Sequence, residues 1–208
     1  MLKKIRFILV FISLSICLGL MSSTYSRYVA STTGNVEALF AKWQILVNTL
    51  DVTNGTNSEI NFTPIIEENE YVASNVVAPS SKGHFDIVID PTNVDVSFKY
   101  DITLGIINEN MPDLMITKYA IINNDYLEGD PIEQINIENN IITNNLYFDN
   151  NITDFKFESF TIRVYFEWYE GENELMNDEA DSQVGNSAAT ENTTFNMTAN
   201  VLFEQIFE

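Results

Sequence analysis

Cysteine and histidine each occur once in this 208-residue chain, and ten basic residues stand against thirty acidic ones. Each scarcity closes off a class of function. The one cysteine, Cys17, lies in an apolar N-terminal run, so the rest of the chain has no disulfide framework, thiolate metal site or thiol nucleophile. Ile16 precedes it where a lipid-attachment motif needs a small residue, which argues against lipidation. His84 is the single histidine, and neither HExxH nor GxSxG occurs. A Ser–His–Asp triad or a zinc centre needs histidine in a specific constellation. The expectation is therefore a loop histidine, solvated or hydrogen-bonded, in a non-enzymatic protein. The shortage of basic residues argues against a nucleic-acid partner, because an acidic field repels phosphate backbones. It argues equally against charge-driven docking on anionic lipid, and it favours solubility and the binding of cations.

What is present begins with a three-part N-terminus. Lys3, Lys4 and Arg6 form a basic start, Phe7 to Met21 is uncharged and mostly apolar, and Ser22-Ser23-Thr24-Tyr25-Ser26 follows before Arg27. That order is the layout of a secretory signal. The apolar run is shorter than the ~20 residues a membrane-spanning helix needs. Signal peptidase requires small side chains one and three residues before its cut. Thr24 and Ser26 meet that need and place the new N-terminus at Arg27, with a cut after Ser23 or Thr24 as the alternatives. The competing reading is an uncleaved anchor with its positive end inside. Either way, contact with a membrane runs only through this segment, and the expected location is secreted or at the cell surface. Removing residues 1–26 takes three of the ten basic residues and no acids, leaving a net charge of about −23.

The remaining ~180 residues suffice for one core without staples. Their dominant pattern is alternation at period two, the mark of half-buried strands. It runs from Val94 to Leu104, from Phe160 to Trp168, from Phe85 to Ile89 and from Phe195 to Phe203. Less regular strands are expected at Ile60–Thr63, Met115–Ile122, Gln134–Ile137 and Asn145–Phe148, and Val36–Val47 is read as a strand buried on both faces. Turn-formers separate them: Asn54-Gly55, Pro79 to Gly83, Asp90-Pro91, Asn123 to Asp125 and Gly171. The expected fold is an all-β antiparallel sandwich, jelly-roll-like, over residues 36–208. A signal helix and a flexible segment at 27–35 precede it. The polar stretch from Gly171 to Thr193 is expected to be a surface loop.

That stretch concentrates carboxylates and amides at Asn177, Asp178 and Asp181, with Glu172 and Glu174 upstream. Calcium takes six to eight such oxygens, but the spacing is not that of an EF-hand. Two readings stay open, a calcium site on Asn177, Asp178 and Asp181 or a solvated acidic loop; no other cofactor is expected. Tyr165 and Tyr169 could stack on a sugar if exposed, or pack on the sheet.

Three groups of residues together resemble one family. Thr24-Tyr25-Ser26 is similar to the Thr-Tyr-Ala cut site of substrates of the SipW-type signal peptidase. Ala78-Pro79-Ser80-Ser81-Lys82-Gly83-His84-Phe85-Asp86-Ile87 resembles an "APGssG-f-i" entry to a core strand. Val164 to Trp168, then Asn177-Asp178-Glu179-Ala180-Asp181 and Gly185, resembles a C-terminal "V-x-W … NDxxD … G" pattern. The family is the TasA/camelysin-like group of exported proteins of Bacillota. The resemblance implies a jelly-roll domain at the cell surface or in the biofilm matrix. Its partners would be signal peptidase and copies of itself or related matrix subunits. It also implies fibre growth in which a freed N-terminal segment, here Arg27 to Gly34 with Tyr28 and Val29 at its centre, adds to a neighbour's sheet. A metallopeptidase label carried by some members is not transferred, since the zinc motif is missing. Ser26 in place of Ala leaves open which peptidase cuts.

Overall fold

The computed structural model describes residues 2–24, 39–53, 60, 62–106, 113–170, 177–191, 194–195 and 197–207. The chain divides into two compact units, residues 1–39 and 40–208. The first contains helix α1, Leu2–Thr24, 23 residues long, or about 34 Å at the usual helical rise. Its side chains from Lys3 to Leu18 are all exposed. Among the described residues no helix is long and apolar enough to cross a membrane.

Over its described residues the second unit is all-β with one short helix. Its strands are β1 (Trp43–Val47), β2 (Leu50–Asp51), β3 (Ile65–Ile66), β4 (Lys82–Val94), β5 (Phe98–Ile106), β6 (Leu114–Asn123), β7 (Ile135–Asn136), β8 (Ile141–Leu146), β9 (Phe160–Trp168) and β10 (Met197–Gln205). Helix α2 (Asp178–Ala188) lies between β9 and β10. All pairings are antiparallel. The larger sheet runs β2-β1-β4-β9-β6-β7, with β3 also paired to β4; the smaller runs β10-β5-β8.

The alternation expected from sequence becomes a core shared by the two sheets. Phe85, Ile87 and Ile89 of β4 and Ile162, Val164 and Phe166 of β9 point in from the larger sheet. Phe98, Tyr100, Ile102 and Ile142 meet them from the smaller. Aromatic contacts bridge the layers: Trp43 lies edge-on to Phe98 at 6.1 Å, and Tyr100 lies 5.7 Å from Phe160. Such pairs add about 0.5–1.5 kcal/mol beyond their area burial. Burial pushes the Tyr100 hydroxyl up to about 12, because the phenolate loses its hydration there.

Several expectations shift in position. The run Val94–Leu104 is two strands: Val94 ends β4, and β5 begins at Phe98 after the chain crosses from one sheet to the other. Both residues face the core, so the alternation passes through the crossing unbroken. Asp90-Pro91, expected as a turn, lies inside β4. The ladder tolerates proline there because pairing with β9 ends at Ile89↔Phe160, and the register against β1 shifts between Gln44 and Leu46. Val36–Val47 contributes a strand from Trp43 onward, with Ile45 and Val47 buried and Gln44 exposed, so it is not buried on both faces. Ile60 and Phe62 lie outside any strand, and the strand near them is Ile65–Ile66. The strand expected at Asn145–Phe148 runs instead from Ile141 to Leu146.

The stretch expected as a loop after Gly171 contains α2. Asn177 caps it, its side-chain oxygen accepting from the Ala180 N–H at 3.1 Å. Asp178, Glu179 and Asp181 in the first turn complement the positive end of the helix dipole. The polar composition that suggested a loop is that of an exposed helix: none of its residues is fully buried, and half-buried Val184 packs on the core.

Candidate functional site

Three places on the β unit carry chemistry or surface that packing alone does not account for. The first is the smaller sheet. Among the described residues, β10 and β8 each pair only with β5, so each has one edge of backbone N–H and C=O groups without a strand partner. In β10, Met197, Ala199, Val201 and Phe203 face the core yet are only half-buried, and none of the nine residues is buried. Leu202 on the opposite face is 53% exposed. At the far end, Trp43, Lys99, Glu204, Gln205 and Phe207 line an open depression of about 540 Å³. A long, exposed, partly apolar edge strand is a template for pairing with another chain.

The second place is where α2 meets the start of β6. Asp113 immediately precedes β6 and is fully buried. Its Oδ2 accepts from the Asn177 N–H at 2.7 Å, and its backbone oxygen accepts from the Tyr169 N–H at 2.8 Å. Leu114 and Trp168 are register partners, which sets Trp168 beside Asp113. Asp181 follows Asn177 by one helical turn, so both face Asp113 from one side of α2. Among the described residues three buried atoms here lack a close hydrogen-bond partner: Asp113 Oδ1, Asp181 Oδ1 and Trp168 Nε1. The donor that faces the Asp181 carboxylate is the Trp168 indole N–H. Burial raises the Asp181 pKa most; the indole opposes that, and the charges of Asp113 and Asp178 add to it.

The third place is the outer face of the larger sheet. Asp86 and Arg163 are register partners joined by a two-pronged ion pair, Nε to Oδ1 at 2.8 Å and Nη2 to Oδ2 at 2.9 Å. Beside them His84 and Tyr165 pair across the same strands, ring centres 6.0 Å apart. Burial lowers the His84 pKa, Arg163 lowers it further, and Asp86 and Glu67 pull the other way. His84 therefore stands within β4, not in a loop. Tyr165 and Tyr169 are both half-buried, between the open stacking platform and the sheet packing that the sequence left as alternatives.

The remaining sequence-predicted residues are dispersed. Thr24 is the last residue of α1, while Ser26, Arg27, Tyr28 and Val29 lie outside the described residues, as do Glu172 and Glu174. Asn177, Asp178 and Asp181 come together on the first turn of α2, with Asp178 exposed and Asp181 half-buried. Among the described residues no group of three or more His, Cys, Asp or Glu side chains is arranged to hold a metal. Sequence reasoning missed Asp113, because a lone Asp after Pro112 carries no spacing signal and meets Asn177 only through the fold. No protein-family model, curated protein or solved structure matches the chain.

Proposed function

We propose that this chain is a non-enzymatic, exported surface or extracellular-matrix subunit that assembles into fibres by N-terminal strand donation. Its topology would be jelly-roll-like, with α1 as the helix of a removable signal. The observation that carries the reading is β10, nine residues of half-covered inner face beside an edge without a strand partner among the described residues. An added strand would hydrogen-bond that edge and cover Met197, Ala199, Val201 and Phe203, the mode called β-strand addition. Leu39 and Phe40, ahead of β1, are almost wholly exposed, at 101% and 98%. Apolar side chains left in water on a lead-in segment suit one that packs against another copy. The donor in this reading is Arg27 to Gly34, with Tyr28 and Val29 seated in the neighbour, as the resemblance to TasA/camelysin-like proteins suggests.

The test compares chains starting at Arg27 and at Val36 by light scattering and electron microscopy. Fibres are expected from the first and monomers from the second. A chain starting at Arg27 that stays monomeric under all assembly conditions ends the proposal. The alternative, a glycan- or protein-binding module, draws on the His84–Tyr165 pair of the outer face. Its prediction is binding to isolated cell-wall glycan that Tyr165→Ala abolishes.

A further inference from the structure

Two carboxylates approach each other beneath the start of α2, and the hydrogen bonds that fix them leave one oxygen of each unused. Asp113 is fully buried; Oδ2 is committed to the Asn177 N–H, and Oδ1 has no partner among the described residues. Asp181 Oδ1 is also buried, with no close partner among the described residues. An unpaired buried polar atom costs about 1–3 kcal/mol, more when it is charged. The donor at hand, the Trp168 indole N–H, carries a single proton and faces Asp181, so two acids in one place still need a shared proton or a cation. The lysines and arginines that make ion pairs among the described residues do so elsewhere: Lys82 with Glu167, Lys99 with Asp101 and Glu204, and Arg163 with Asp86.

We propose that Asp113 and Asp181 hold a hard divalent cation of the calcium class between their free Oδ1 atoms, locking the first turn of α2 onto the start of β6. Oxygen-only donors exclude soft metals. Two carboxylates fall short of a calcium shell, so water completes it, entering from the half-buried Asp181 side. Trp168 stands against the site with an indole N–H that has no better partner, which makes it a built-in reporter. The sequence-level candidates change accordingly. Asp181 is a ligand, Asn177 positions Asp113 through its backbone N–H, and exposed Asp178 contributes only charge.

The experiment uses the full chain in detergent, stripped with a chelator, with Trp43→Phe so that Trp168 is the only tryptophan. Terbium is titrated while Trp168 is excited, calcium and magnesium are added in competition, and calcium binding is measured calorimetrically. One saturable site is expected, with sensitised emission displaced by calcium at or below the ~1 mM typical of extracellular modules. Asp181→Asn should weaken binding at least tenfold, and Asp178→Asn by less than threefold. Calcium should raise the melting temperature of the parent chain and not of the Asp181→Asn chain. Asp113→Asn should abolish the site; if that chain fails to fold, as circular dichroism would show, Asp181→Asn alone decides. Absence of saturable binding overturns the proposal, as does binding that survives Asp181→Asn, which would mark diffuse surface acidity. A melting point raised by Asp181→Asn with no calcium response in the parent would mark a shared proton instead, and would overturn it too.

Discussion

Strands β9 and β10 are the same length and carry the same alternation, yet they end in different environments. In β9 every second residue is buried, from Phe160 through Ile162, Val164 and Phe166 to Trp168. In β10 the equivalent residues, Met197 to Phe203, reach only half-burial. The difference lies in the neighbours. β9 has β4 on one side and β6 on the other, while β10 has β5 alone among the described residues. A core-facing side chain is shielded by the sheet opposite and by the strands beside it, and β10 lacks one of these. Equal patterning thus yields a load-carrying centre in one sheet and an available edge in the other.

The largest test of this contrast is a pair of truncations. Ile162→Ala should cost about 3 kcal/mol through the cavity it leaves, within the range for deeply buried isoleucine. Val201→Ala should cost about 1 kcal/mol or less, because water already reaches that site. Urea unfolding of both variants measures the difference, and equal losses would break the comparison.

A second pair uses glycines. A methyl at Gly83 in β4 would meet the Ile65 carbonyl oxygen and the Phe166 ring, both at 2.6 Å. Gly83→Ala should therefore cost about 2 kcal/mol, the scale of overpacking. At Gly105 in β5 the only close atom is Thr198 Oγ1 at 2.8 Å. That hydroxyl can turn away at the cost of its long, exposed 3.5 Å hydrogen bond to the Gly105 carbonyl, so Gly105→Ala should cost about 1 kcal/mol or less.

The pH dependence of the closed sheet gives a smaller signal. Burial holds the His84 pKa below its ordinary 6.5, so between the two values the unfolded chain binds the proton more readily. Stability from this group is then full above the ordinary value, falls as pH drops below it, and levels off beneath the folded value. His84→Gln should flatten that part of the curve of urea midpoint against pH. An unchanged slope would assign the effect to other groups.

The smallest stability effect belongs to Leu202→Lys on β10. It should leave the midpoint within about 0.5 kcal/mol of the parent while blocking assembly, since an edge lysine resists strand addition. Light scattering reads the second outcome, and fibres formed as readily as by the parent would detach β10 from the assembly surface.

Particular residues mark how far the sequence could be read. The alternation in Phe160–Trp168 and in Phe195–Phe203 was legible because a strand's side-chain period is two whatever it packs against. The helix at Asp178–Ala188 was less so. Its cap and acidic first turn are local signals, but with no residue fully buried it offers almost no apolar face. Asp90-Pro91 departs from the expected turn because a proline within a strand is tolerated at an edge or a bulge; here pairing with β9 stops and the register against β1 shifts, which is known only once the strands are aligned.

The sequence by itself determined the all-β class, the two-faced strands, the acidic charge and the scarcity of cysteine and histidine, since each follows from composition or short-range period. Only the tertiary structure decided that β9 is enclosed while β10 is open, and that Asp113 meets Asn177 and Asp181 across 64 and 68 positions of chain. Contacts of that kind depend on strand order and register, which no local pattern encodes.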